Sequence, residues 1–150
     1  FEAALAEVML ELAQAIIRDG EGATKFVTIE VSEARSQEEA RAVGFTVAHS
    51  PLVKTALYAS DANWGRILAA VGRAPLEELD VTGVAITLNG VTIVEQGGRA
   101  DSYTEAAGSA AMAEEELVIG IRLGRGQQEA RIWTSDLSHD YVSINADYRS

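Results

Sequence analysis

The chain has 150 residues, and 12 Lys and Arg against 23 Asp and Glu give it a formal net charge of -11. A hydrophobic fraction of 47% is typical of a folded domain and excludes a disordered chain. The acidic balance argues against nucleic acid or an anionic membrane surface as a partner, because both recruit clustered cations. The absence of cysteine excludes disulfides and thiolate chemistry, and it fits a cytoplasmic location. The length predicts a single domain over residues 1–150.

The first half of the chain predicts helices around one strand. Apolar residues at helical spacing indicate a helix over roughly residues 2–18, and alternation at 26–31 indicates a strand. A capping box at Ser36 predicts a second helix, and the Ser-Pro pair at 50–51 predicts the start of a third. A turn or cap at residues 61–63 precedes a fourth helix.

The second half predicts mostly strands. An Asn-Gly pair at 89–90 between apolar alternations predicts a hairpin, and residues 104–116, rich in Ala and Glu, predict a helix. Residues 117–123 and 130–134 predict a second hairpin, and residues 141–146 predict a last short strand. The expected fold class is therefore mixed α/β (α+β), with mostly antiparallel strands and packed helices.

Two glycines flank a carboxylate in the segment DGEGATK at residues 19–25. Glu21 lies there on a permissive backbone with little steric cover. A phosphate loop follows a strand and opens a helix, whereas this segment follows a helix and opens a strand. The carboxylate is better suited to binding an ammonium group, and the alternative is a helix C-cap followed by a linker.

Two segments in the middle of the chain, SPLVKTA at 50–56 and DANWGR at 61–66, combine polar and charged groups. Helix capping together with a buried Trp64 accounts for most of these residue types. The alternative is that Lys54 and Arg66 contact an anionic ligand.

The C-terminal segment, residues 136–150, interleaves aromatic and apolar residues with polar ones, which indicates a docked tail. Asn145 offers a ligand both a donor and an acceptor. Neither His49 nor His139 has the spacing of metal ligands, so no metal site is predicted.

Together these segments resemble the ornithine acetyltransferase (glutamate N-acetyltransferase) family of arginine biosynthesis. The motifs that carry the resemblance are DGEGATK at 19–25, SPLVKTA at 50–56, D-x-NWGRI at 61–67 and DLSHDYVSINADYRS at 136–150. They lie in order and cover essentially the whole chain.

The resemblance implies a self-cleaving acyltransferase of the N-terminal-nucleophile type. In this family the precursor cleaves itself before a threonine, which becomes the nucleophile of a β chain with its own α-amine as base. The acetyl group passes from N-acetylornithine through an acyl-enzyme to glutamate, and the α chain supplies an oxyanion hole. No cofactor is implied, although some members accept acetyl-CoA as a donor. The expected partners are the α chain and the start of the β chain, in an α2β2 heterotetramer.

Glu21, Asn145 and Ser150 match substrate-contacting positions of the family, so the resemblance implies that they bind substrate. Because the chain begins at Phe1 in a helical pattern, we interpret it as the C-terminal part of a β chain. No catalytic residue is assigned within it, since the nucleophilic threonine would lie outside. Ala62 stands where the family commonly has proline.

Two alternatives stay open at this point. One is a non-catalytic amino-acid-binding or assembly domain on the same scaffold. The other is a related acetyltransferase of a secondary-metabolite pathway.

Overall fold

A computed structural model describes residues 1–148 and contains six α-helices and a six-stranded sheet. The helices are α1 (Glu2–Arg18), α2 (Gln37–Ala48), α3 (Pro51–Tyr58), α4 (Trp64–Gly72), α5 (Glu105–Met112) and α6 (His139–Asp147). The strands are β1 (Phe26–Ala34), β2 (Ala85–Leu88), β3 (Val91–Glu95), β4 (Gly98–Arg99), β5 (Glu116–Arg122) and β6 (Gln128–Ser135). The predicted mixed α/β class is confirmed.

The sheet has the strand order β4-β3-β2-β5-β1-β6. β1 runs parallel to β5, and the other neighbouring pairs are antiparallel. The predominance of antiparallel pairing therefore agrees with the sequence prediction.

Alternation along the central strands gives the sheet one fully apolar face. Val27, Ile29 and Val31 of β1 are buried, and Ile29 lies in register with the equally buried Ile119 of β5. α2 packs against β1 and β6, while α4 and α5 contact β3. Burial of period-two apolar residues beneath helices is the main source of stability in such a layer.

Local signals for turns and caps are confirmed. Asn89 and Gly90 have φ angles of 46° and 81°, as a two-residue turn between β2 and β3 requires. The Ser36 side chain accepts a hydrogen bond from the Glu39 amide at 3.0 Å and begins α2. Within residues 1–148 no helix has the length and apolar character needed to cross a membrane.

The prediction that β5 and β6 form a hairpin is wrong, because β1 lies between them. Their connection passes around the end of β1, where the Leu123 amide donates to the Ser32 carbonyl at 3.1 Å and the Arg125 amide donates to the Glu33 carbonyl at 2.9 Å. The physical reason is that β1 pairs with a strand on each side when it lies between β5 and β6. The short distance between β5 and β6 in the sequence does not reveal this insertion.

The prediction of a strand over residues 141–146 is also wrong, because these residues form most of α6. The Ser138 side chain accepts a hydrogen bond from the Tyr141 amide at 3.1 Å, and Asp140 lies in the first turn. A capped N-terminus with an acidic first turn favours a helix, and here it outweighs the period-two spacing of the apolar residues.

The helix predicted over residues 104–116 is shorter than expected and ends at Met112. The buried Lys25 ammonium donates to the carbonyls of Met112 at 2.7 Å and Glu114 at 3.0 Å. A cation that binds the last carbonyls stabilises a helix end, so a residue distant in sequence determines where α5 stops.

Gly44 allows α2 to approach β6, and we expect Gly44→Ala to destabilise the chain. A Cβ there would lie 2.6 Å from Ile132 Cγ1. Overpacking of this kind costs about 1–3 kcal/mol, measured as the free energy of unfolding in urea. The matched control is Gly72→Ala, because a Cβ at Gly72 meets nothing within 4 Å. That variant should be neutral or gain up to about 1 kcal/mol, and equal losses in both variants would contradict the packing role of Gly44.

Candidate functional site

Glu21 lies at the tip of a tight turn between α1 and β1. The Ala23 amide donates to the Gly20 carbonyl at 3.0 Å, and Gly22 has a φ of 68°. A positive φ at the third position is characteristic of a type II turn, which places Glu21 at the second position. Glu21 is exposed, so its carboxylate is available to a ligand or partner.

The same turn packs against the N-terminus of α6. The Ser138 hydroxyl donates to the Gly22 carbonyl at 2.6 Å and accepts from the Tyr141 amide at 3.1 Å. A Cβ at Gly22 would lie 2.6 Å from the Tyr141 nitrogen, so no other residue fits without movement of the backbone. One hydroxyl therefore caps α6 and joins it to the turn that carries Glu21.

Asn145 lies on α6, in which no residue is buried, so among the described residues the predicted docked tail is attached only at the start of the helix. Asn145 follows Ser138 by seven positions, so both are on one face of the helix, about 10 Å apart along its axis. Its Nδ2 donates to the Tyr141 carbonyl at 2.8 Å. The structure thus brings together the elements that carry Glu21 and Asn145, but no hydrogen bond within residues 1–148 joins these two side chains. The third predicted residue, Ser150, lies outside the described residues.

A buried carboxylate fixes the start of β1 to the end of β6. Asp136 Oδ1 accepts hydrogen bonds from the amides of Thr24 at 2.8 Å and Lys25 at 2.9 Å. Its Oδ2 accepts from the Thr24 hydroxyl at 2.5 Å. Because Asp136 is only 4% exposed, these donors compensate for the loss of water around its charge. The segment immediately after Glu21 is therefore held rigidly.

Lys54 of α3 supports the same region from the other side. Its Nζ donates to the Thr134 hydroxyl at 3.0 Å and to the Ser135 carbonyl, while the Leu137 amide donates to the Lys54 carbonyl at 3.1 Å. Burial lowers the pKa of Lys54 below its ordinary value, and the Asp136 carboxylate opposes this by raising it. Lys54 is thus a structural cation bonded to the end of β6, not a group held free for an anionic ligand.

A ring contact continues this attachment towards α6. Tyr58, one helical turn after Lys54 in α3, meets His139 edge to face, with centroids 5.4 Å apart.

Within residues 1–148 no group of three or more His, Asp or Glu side chains is arranged to hold a metal ion.

The polar residues around α4 form the predicted capping arrangement, whereas Trp64 is only partly buried against the core and not buried as predicted. Asn63 Oδ1 accepts from the Arg66 amide at 3.2 Å, and the Asp61 carboxylate accepts from Asn63 Nδ2 at 2.8 Å. The Arg66 guanidinium donates to the Leu52 carbonyl at 3.0 Å at the start of α3. Arg66 therefore joins two helices.

Two cavities differ in their relation to Glu21. An open groove of about 690 Å³ follows the polar face of the sheet beside Glu30, Thr87 and Arg131, far from the turn. A smaller cavity of about 250 Å³ adjoins the turn and is lined by Thr24 and Glu115 among others. The larger groove is an uncovered sheet face, so its size alone does not identify a ligand site.

Sequence reasoning missed the residues that hold the site in place. Ser138 was detectable, because a serine followed by an acidic residue two positions later is typical of a helix start. Asp136 carried no local signal, since its partners at the start of β1 are 111 and 112 residues away.

The fold places the chain in a class. The mixed α/β architecture is of the N-terminal-nucleophile hydrolase type. The family model named ArgJ matches residues 1–150, and the chain belongs to the ArgJ family.

Similar proteins agree with this assignment. A protein of Pseudomonas syringae pv. tomato named arginine biosynthesis bifunctional protein ArgJ is 60% identical over 147 residues, covering 98% of this chain and 36% of that protein. A protein of the same name from Methylococcus capsulatus is 59% identical over 150 residues, covering 100% of this chain and 37% of that protein. A crystal structure of the protein of that name from Bacillus halodurans has a TM-score of 0.92 at 37% identity, covering 97% of this chain and 68% of that one. The chain thus spans little more than a third of the curated relatives.

We expect Asp136→Asn to loosen the segment that follows Glu21. The asparagine oxygen would accept from the Thr24 and Lys25 amides without a charge, and its Nδ2 would replace the oxygen that accepts from the Thr24 hydroxyl, so the loss should be about 1.5–3 kcal/mol in the free energy of unfolding. Hydrogen exchange of the Thr24 and Lys25 amides should rise with it. Asp101→Asn, in an exposed turn, is the matched control and should change stability by less than about 0.5 kcal/mol. Unchanged exchange at both amides would contradict the role of Asp136.

Lys54 should make stability depend on pH in the alkaline range. Because its pKa is lowered in the folded state from 10.5, the unfolded chain binds more protons as pH approaches 10.5. The free energy of unfolding of the wild-type chain should therefore rise relative to Lys54→Arg as pH increases towards that value. Arginine keeps its charge throughout, so other titrating groups cancel in the comparison. Parallel stability curves for the two proteins would show that Lys54 does not titrate differently on unfolding.

Proposed function

We propose that the chain forms the substrate-binding part of an acetyltransferase that moves an acetyl group from N-acetylornithine to glutamate in arginine biosynthesis. Membership of the ArgJ family and the printed names of its relatives support this proposal. The observation that carries it is the exposed Glu21 carboxylate, raised on a glycine turn that Ser138 holds against α6.

In this proposal the residues of the chain bind and orient substrate. Glu21 accepts hydrogen bonds from a substrate ammonium group, a charge-assisted contact that is stronger than a neutral one. Asn145 and Ser150 supply polar contacts to the amino-acid head group. The rigid attachment through Asp136 keeps Glu21 in place without reorganisation, which favours productive orientation of the acetyl donor.

The acyl-transfer step itself belongs to groups outside this chain. The nucleophile is the N-terminal threonine of a self-cleaved β chain, whose own amine serves as base. It attacks the acetyl carbonyl, releases ornithine and forms an acetyl ester, and glutamate then takes the acetyl group from that ester. The α chain provides the oxyanion hole.

The proposed partners are the α chain and the start of the β chain, assembled as an α2β2 heterotetramer in the cytoplasm. No cofactor is needed, and acetyl-CoA is a possible second donor. An intact-mass spectrum of the native protein tests this assembly. Co-purifying segments with an N-terminal threonine would support it, whereas a lone chain of 16.0 kDa would favour the non-catalytic alternative. An assay that compares glutamate with other amines as acetyl acceptors tests the alternative of an acetyltransferase from a secondary-metabolite pathway.

We expect Glu21→Gln in the assembled enzyme to weaken use of N-acetylornithine. Loss of a charge-assisted hydrogen bond costs about 1.5–3 kcal/mol, which corresponds to a decrease of roughly 10- to 150-fold in kcat/KM. Glu95→Gln, at an exposed position of β3, is the matched control and should leave kcat/KM unchanged. Equal kinetics of the Glu21 variant and the wild-type enzyme would remove Glu21 from the site.

A further inference from the structure

Five large apolar residues form an exposed stripe along α1. Leu5, Val8, Met9, Leu12 and Ile16 follow the spacing i, i+3, i+4, i+7 and i+11, so they share one face of the helix. Their exposed fractions range from 47% to 72%, and no residue of α1 is buried. We call this face the α1 stripe. An apolar face of this extent is typical of a helix that packs against another surface.

The rest of the described chain does not cover the α1 stripe, because α1 meets the molecule with its other side. Gln14 and Ile17 are its half-buried positions, and helical geometry places Gln14 opposite the stripe and Ile17 on a flank of the helix outside it. At the end of α1, Arg18 pairs with Glu116 and lies 3.7 Å above the Phe26 ring. These contacts hold α1 in an orientation that turns the stripe outward.

The lengths of the relatives identify an occupant for this surface. The curated relatives match this chain over only 36% and 37% of their own lengths, so most of an ArgJ-family polypeptide lies outside the matched region. We propose that the α1 stripe is the surface on which that remaining part of the ArgJ polypeptide docks. This inference rests on the proposed assembly and is independent of the acetyl-transfer step.

The charges of α1 define the chemistry of the docked surface. Of the acidic residues before Arg18, Glu2 and Glu11 lie at the sides of the stripe, whereas Glu7 lies on the opposite face of the helix. A complementary surface has an apolar centre for the α1 stripe and basic groups at its rim. Because α1 ends directly before the Gly20 turn, Ile16 is the stripe residue nearest to Glu21 in the chain.

The two methionines of the chain provide a direct test without any substitution. The test protein is the Pseudomonas syringae relative with its 147 matched residues replaced by this chain. Met9 lies in the α1 stripe and is 62% exposed, whereas Met112 is 1% exposed in the core and reports an intact fold. Peroxide converts accessible methionine to its sulfoxide, which peptide mass spectrometry reads at each position.

We expect native hybrid protein to protect both methionines, with Met9 oxidising at least about tenfold more slowly than in urea-unfolded hybrid. Rapid oxidation of Met9 with Met112 still protected would overturn the proposal. The proposal would also be overturned if Met9 loses its protection when the hybrid is diluted until it is monomeric. In that case a second copy of the protein would be the occupant.

A matched pair of thiol variants gives a second measurement, since the chain has no cysteine of its own. In the hybrid, Leu12→Cys should react with maleimide at least about tenfold more slowly than Asp101→Cys, which lies in an exposed turn outside α1. Equal rates would contradict docking. If the hybrid is inactive and Met9 is protected, the proposed acetyl transfer is refuted and the docking surface is supported. If the hybrid is active and Met9 is oxidised rapidly, the docking surface is refuted and the proposed acetyl transfer is supported.

Discussion

The buried carboxylate of Asp136 is the contact on which the candidate site depends. It follows β6 directly and binds the backbone just before β1, so it closes the end of the antiparallel pair β1–β6. Glu21 lies a few residues before this contact and α6 begins a few residues after it. A single charge with three hydrogen bonds therefore determines that the glycine turn and the C-terminal helix leave the sheet at the same place.

The site combines a rigid frame with exposed functional groups. Lys54, Asp136 and Ser138 are bonded into the frame, whereas Glu21 and Asn145 remain open to solvent. This division suits a binding surface that is completed by another segment, because the frame fixes direction while the exposed groups keep their bonding capacity. The α1 stripe lies on the helix that leads into the same turn, with Ile16 as its residue nearest to Glu21 in the chain.

Much of the local structure was predictable because its signals are local. Caps, the two-residue turn at Asn89 and the first helix all depend on residues within one turn of each other. The errors fall where distant residues decide. β1 separates β5 from β6, and Lys25 ends α5. After Ser138 the period of the apolar residues favours a strand, whereas the serine cap favours the helix that forms.

By itself, the sequence determined the mixed α/β class, most element types and the position of Glu21 between two glycines, since each depends on short-range sterics and periodicity. Tertiary structure alone decided the strand order, the attachment of α6 to the Gly22 turn and the outward orientation of the α1 stripe. The reason is physical. A buried carboxylate, a buried ammonium and an apolar strand each require partners that only the folded chain brings near, and no local pattern states which partners those are.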